Sequence, residues 1–143
     1  MSNEALARTK RLLEIRSLQR QSAAARLAQA ELLAREAAEA AREAETRLHE
    51  TALLALCAGP RSLDDLLDAR ASFALSQRAR DVAGNAELAA QKARAAEHGK
   101  LCAADLAVRQ VEHLADAARI EIGLQEQAGD RRTTDEVAAR RAR

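Results

Sequence analysis

"CAGPRSLDD", residues 57–65, is the stretch that decides the fold. Between residue 4 and residue 57 the chain has no Gly or Pro, and this stretch then supplies Gly59, Pro60 and Ser62, followed by Asp64 and Asp65. Each residue type has a physical role here. Glycine accepts the left-handed conformation that ends a helix, and proline cannot continue one. Serine caps the next helix, whose first turn favours negative charge. The stretch therefore reads as a helix stop followed by a helix start. It predicts helix 1 over about residues 4–57, a turn over about 58–62, and helix 2 over about 63–141.

Composition agrees with long helices. The 143 residues include one Phe and no Trp or Tyr, and 48% are apolar, mostly Ala and Leu. A mixture of Ala, Leu, Arg, Glu and Gln, poor in β-branched and aromatic residues, favours helices over strands. It also excludes a compact core built on aromatic side chains. With 23 basic and 22 acidic residues interspersed, the chain lacks the charge excess of a polyanion binder. Charged residues interrupt every apolar run, so direct membrane insertion is not expected. The N-terminus lacks a secretory apolar segment. Cys57 and Cys102 are too few for a disulfide framework, and His49, His98 and His113 stand apart. The expectation is a cytosolic, reduced chain holding no metal or cofactor. The two cysteines are expected as small fillers of the seam or tip.

A first helix of about fifty residues would be roughly 80 Å long at 1.5 Å per residue and needs a partner. Its candidate seam runs Leu6, Thr9, Leu13, then Ala23, Leu27, Ala30, Ala34, Ala37, Ala41, Ala44, Leu48 and Thr51, with Arg16 and Arg20 interrupting it. Spacings alternating between three and four hold one stripe on one face as two helices wind together. In the second half the matching seam is Leu101, Ala104, Val108, Val111, Ala115, Ala118 and Ile122. Before it, Leu88 and Ala95 suggest a shifted stripe, and Gly84 suggests a bend in the helix.

Two long amphipathic helices with a short connection become antiparallel neighbours. The expected fold is all-α: residues 1–143 form a single long antiparallel two-helix coiled-coil hairpin. Helix 1 is shorter than the stretch from Ser62 to Arg143. Either the C-terminal end overhangs, or part of residues 62–82 folds back as a short extra helix at the tip. The tip is rich in large apolar residues, including Leu54, Leu63, Leu66, Leu67 and Phe73. These predict either a small local core under such an extra helix or a surface for docking a partner. At the other end, Arg8, Lys10, Arg11, Arg16, Arg20 and Arg26 face only Glu4 and Glu14 in the first 26 residues. A hairpin is expected to bring this basic segment beside the charged C-terminus.

The closing segment has Asp130, Arg131 and Arg132, two threonines, then Asp135, Glu136, Val137, Ala138 and Arg140. It resembles the C-terminal signature of the FliJ family and its YscO-like relatives in virulence-type secretion systems. That signature is an Asp, basic residues, Asp-Glu, an apolar residue, Ala and Arg. Val137 stands where a larger aromatic is common in the family. The resemblance implies a non-enzymatic central stalk of a type III export apparatus, at the cytoplasmic face of the inner membrane. Its expected partners are the hexameric export ATPase, the membrane export gate and export chaperones. Carried over, Asp130, Arg131, Arg132, Asp135, Glu136 and Val137 would contact the ATPase, with Arg8 and Arg11 beside them.

Other classes fit the sequence less well. No nucleophile, base or phosphate loop appears, so an enzyme is not expected. Neutral balance and absent aromatics argue against a nucleic-acid partner. A generic coiled-coil scaffold, or chaperone-like protein, is the alternative.

Overall fold

The computed structural model describes residues 3–57, 59 and 62–141. It contains two helices, α1 (Asn3–Cys57, 55 residues) and α2 (Leu63–Arg141, 79 residues). They form an antiparallel helical hairpin, as the periodicity requires. Ala58, Pro60 and Arg61 lie outside the described residues, so the expected role of Pro60 does too. On either side the punctuation works as its chemistry predicts. Gly59 has φ of 60°, in the left-handed region where a side chain is strained. Ser62 Oγ accepts a hydrogen bond from the Asp65 backbone N–H at 3.1 Å, and the Ser62 carbonyl accepts from the Leu66 N–H at 3.2 Å. One otherwise unsatisfied donor of the first turn is thereby satisfied, while Asp64 and Asp65 meet the positive end of the helix.

The hairpin divides into two packing units. One comprises residues 1–23 with 101–143, the other residues 24–100. In the first, the buried side chains are Ala23, Val108, Val111, Ala115 and Ala118, with Ala118 only 1% exposed. Leu6, Thr9, Leu13, Leu101, Ala104 and Ile122 flank them, half-buried. Every expected seam residue of this unit thus faces inward. Arg16 and Arg20 stay exposed, and Arg20 Nε lies 3.8 Å from Asp105 Oδ1 on the opposite helix.

In the second unit, Ala30, Ala34 and Leu48 are buried, and Leu27, Ala37, Ala41, Ala44 and Thr51 are half-buried. The facing stripe of α2 is not the shifted one. Leu88 is 56% exposed and Ala95 also faces solvent. The inward positions are Ser76, Arg80, Ala83, Glu87, Ala90 and Glu97, all half-buried, with Arg94 at the same spacing reaching outward. This is the alternating spacing of Leu101–Ile122 carried back without a break, with charged residues where apolar ones were sought. Alanines on α1 leave room for the aliphatic stems of Arg80 and Arg94 to cross the seam while their guanidinium groups reach water. Polar cross-helix contacts include Thr51 Oγ1 to Ser76 Oγ at 3.1 Å, Arg80 Nε to Glu45 Oε2 at 4.0 Å, and Arg94 Nε to Glu31 Oε1 at 3.8 Å.

Two alternatives at the tip are settled. α2 runs continuously from Leu63 through Gly84, so no break occurs there and the described residues contain no extra helix. Without that helix the local core does not form. Leu53, Leu54, Leu56, Leu63, Leu66, Leu67 and Leu75 are all exposed, up to 80% at Leu56, and Phe73 is 38% exposed. The cysteines are a further correction. Cys57 and Cys102 are exposed and share no disulfide, so neither fills the seam or the tip.

Candidate interaction surfaces

The longer helix produces the first surface. In the unit formed by residues 1–23 and 101–143, burial along α2 stops at Ile122 and Gly123, and every residue from Leu124 to Arg141 is exposed. The Arg20–Asp105 contact explains the position of this change. Counting back along α1 and forward along α2 from that pair brings Asn3, where α1 begins, level with Ile122. Beyond it no described residue of α1 lies level with α2. The sequence alternative of a C-terminal overhang is the one that holds.

The overhanging segment reads LQEQAGDRRTTDEVAARR. It lacks an apolar stripe: continuing the seam spacing from Ile122 meets Gln125, Gly129, Arg132 and Glu136. Its threonines bond locally, with Thr133 Oγ1 and Thr134 Oγ1 donating to the Asp130 carbonyl at 2.8 and 2.6 Å. The charges are left for other partners. Among the described residues no ion pair engages Asp130, Arg131, Arg132, Asp135 or Glu136. Arg131 with Asp135, and Arg132 with Glu136, have helical i,i+4 spacing, but the base precedes the acid, the weaker orientation against the helix dipole. Arg140 and Arg141 occupy the last turn, where cations are favoured. Val137 is 50% exposed. The result is a helix carrying both signs of charge, with no companion among the described residues.

Arg8 and Arg11 do not join this group. Arg8 forms a 2.7 Å ion pair with Glu4 on its own helix, and Arg11 is exposed. Both lie where α1 is packed against α2, level with about residues 114–117. Asp130 is farther along α2 by roughly 20 Å at the helical rise. The expected meeting of the N-terminal basic segment with the charged C-terminus therefore does not occur, because α1 ends before α2 reaches that charge block.

The second surface is the tip. Leu54, Leu63 and Leu67 expose more than half of their area and Leu66 about half, Phe73 is exposed as well, and so are Asp64, Asp65 and Asp68 on the same stretch of α2. Apolar side chains this close in sequence and this exposed are a feature of docking surfaces.

An open groove of about 680 Å³ is lined by Ala41, Arg42, Glu45, Arg80, Asp81, Gly84 and Glu87 among others. The Arg80 guanidinium has a raised pKa. Its hydrogen bonds to Asp81, and the charge of that carboxylate, hold it above the ordinary arginine value, with Glu45 adding less. The described residues hold no group of three His, Cys, Asp or Glu able to bind a metal, and no helix long and apolar enough to cross a membrane. The charged seam positions Arg80, Glu87 and Arg94 escaped sequence reading because a search for apolar periodicity passes over them. The available signal was their spacing of seven, in phase with Leu101 and Val108. No protein-family model, curated protein or solved structure matches this chain.

Proposed function

We propose that this protein is a non-enzymatic stalk of a type III protein export apparatus, acting at the cytoplasmic face of the inner membrane. The C-terminal segment of α2 engages the hexameric export ATPase. The leucine-rich tip docks the membrane export gate, and export chaperones are further partners. One observation carries this reading: residues 124–141 continue as helix beyond α1 with every side chain exposed and the charges of 130–136 unpaired. That segment is the one whose residues resemble the FliJ signature. Mixed charge on a helix suits a ring of identical subunits, because exposed ion pairs are worth only about 0–1 kcal/mol each and exchange readily.

The test is capture of the cognate export ATPase by the full chain and by a chain ending at Gly129. The stalk reading expects capture by the full chain, with loss on truncation and on Arg131→Glu with Arg132→Glu. Equal capture by the truncated chain would refute it and leave the scaffold reading. Salt-sensitive retention of RNA in place of the ATPase would assign the protein to another class.

A further inference from the structure

The seam of residues 24–100 is poor in register information. On α1 it is mostly alanine, at positions 30, 34, 37, 41 and 44, and on α2 its apolar members are Ala83 and Ala90. Away from Leu27 and Leu48, sliding one helix by seven residues exchanges alanine for alanine, and there the apolar pattern offers little resistance. Charge does distinguish the registers. The α2 seam carries Arg80, Glu87 and Arg94 at intervals of seven. The α1 positions flanking the seam on the side they reach are Ala24, Glu31, Ala38, Glu45 and Ala52, also at intervals of seven. In the native pairing Arg80 meets Glu45, Arg94 meets Glu31, and Glu87 falls opposite Ala38.

We infer that this alternation is a register lock, which selects the observed pairing of the helices and excludes its one-heptad neighbours. Sliding α2 by seven residues in one direction brings Glu87 to Glu45, with Arg80 at Ala52 and Arg94 at Ala38. Sliding it in the other direction brings Glu87 to Glu31, with the arginines at Ala38 and Ala24. Either shift replaces two attractive pairs with one repulsive pair. Local partners do not sense the difference. Asp81 hydrogen-bonds Arg80, and Gln91 donates to Glu87, within α2 itself, and both travel with their helix. Glu31 and Glu45 are therefore the groups that read the register. In the unit of residues 1–23 and 101–143, Arg20 in the α1 seam reaches Asp105 beside the α2 seam, the same device with the helices exchanged.

Disulfide trapping in the full chain, with Cys57→Ser and Cys102→Ser, tests this. The pair Thr51→Cys with Ser76→Cys reports the native register, since the two hydroxyl oxygens are 3.1 Å apart. Thr51→Cys with Ala83→Cys, and Ala44→Cys with Ser76→Cys, report the two slipped registers. With native charges, only the 51/76 bond is expected. The charge-exchanged chain Arg80→Glu, Glu87→Arg, Arg94→Glu places like charges in the native register and one attractive pair in either slipped one. It is expected to lose the 51/76 bond and gain 51/83 or 44/76. Adding Glu31→Arg and Glu45→Arg restores complementarity and is expected to restore the 51/76 bond, even where the triple exchange unfolds the chain. Persistence of 51/76 alone in the triple exchange, or failure of the five-fold exchange to restore it, would overturn the lock.

Discussion

At the scale of single residues, the fold rests on a few positions whose roles differ sharply from those of their neighbours. Ser62 caps α2, so Ser62→Ala should lower stability by about 0.5–2 kcal/mol, read by urea denaturation. Val108 and Leu106 show how much position outweighs residue type. Val108 is 4% exposed, and Val108→Ala should cost about 1.5–3 kcal/mol from lost burial. Leu106 has the larger side chain but is 59% exposed, and Leu106→Ala should change stability by less than about 0.5 kcal/mol. A reversal of that order would mean that the seam has been assigned to the wrong face. Gly84 has the opposite sign. A Cβ built there meets nothing within 4 Å, so Gly84→Ala should stabilise α2 by about 1 kcal/mol, the helix-propensity difference.

At the scale of elements, the two helices were legible to different degrees. α1 is legible from Leu6 to Thr51 except near Arg16 and Arg20, where the half-buried Ser17 is passed over, because its buried side chains are alanine and leucine and its end is marked by glycine and proline. α2 was legible only over Leu101–Ile122. Its earlier half hides the seam under Arg80, Glu87 and Arg94, whose long stems do the covering that a branched apolar residue would do elsewhere. Leu88 drew the reading off register by being apolar on the wrong face. The tip misled for a related reason: a cluster of leucines implies a core only where a further element covers it, and α2 runs on without supplying one. The C-terminal segment belongs at this scale too. Removing residues 124–143 should leave thermal stability within about 0.5 kcal/mol, because the described residues there bury nothing. Circular dichroism melting of the shortened chain checks this, and a marked drop would show that the segment packs on the hairpin.

For the molecule as a whole, fold and partner binding draw on different interactions and should separate under salt. The apolar seams are indifferent to ionic strength, and the ion pairs that span the helices are all partly exposed, with N–O distances of 3.8–4.0 Å. Raising salt several-fold should barely move the melting midpoint, while capture of the ATPase through residues 130–136 should weaken steeply. Parallel loss of both would place the binding charges inside the fold rather than beyond it. The functional proposal depends on α2 outlasting its partner. An unpartnered helix of eighteen residues is marginal in water, whereas one packed along a seam is protected. Amide hydrogen exchange, resolved along α2 in the isolated full-length protein, tests this most directly. Slow exchange through the seam as far as Ile122, falling abruptly to fast exchange from Leu124 onward, is the predicted profile. Protection continuing undiminished to Arg140 would contradict it.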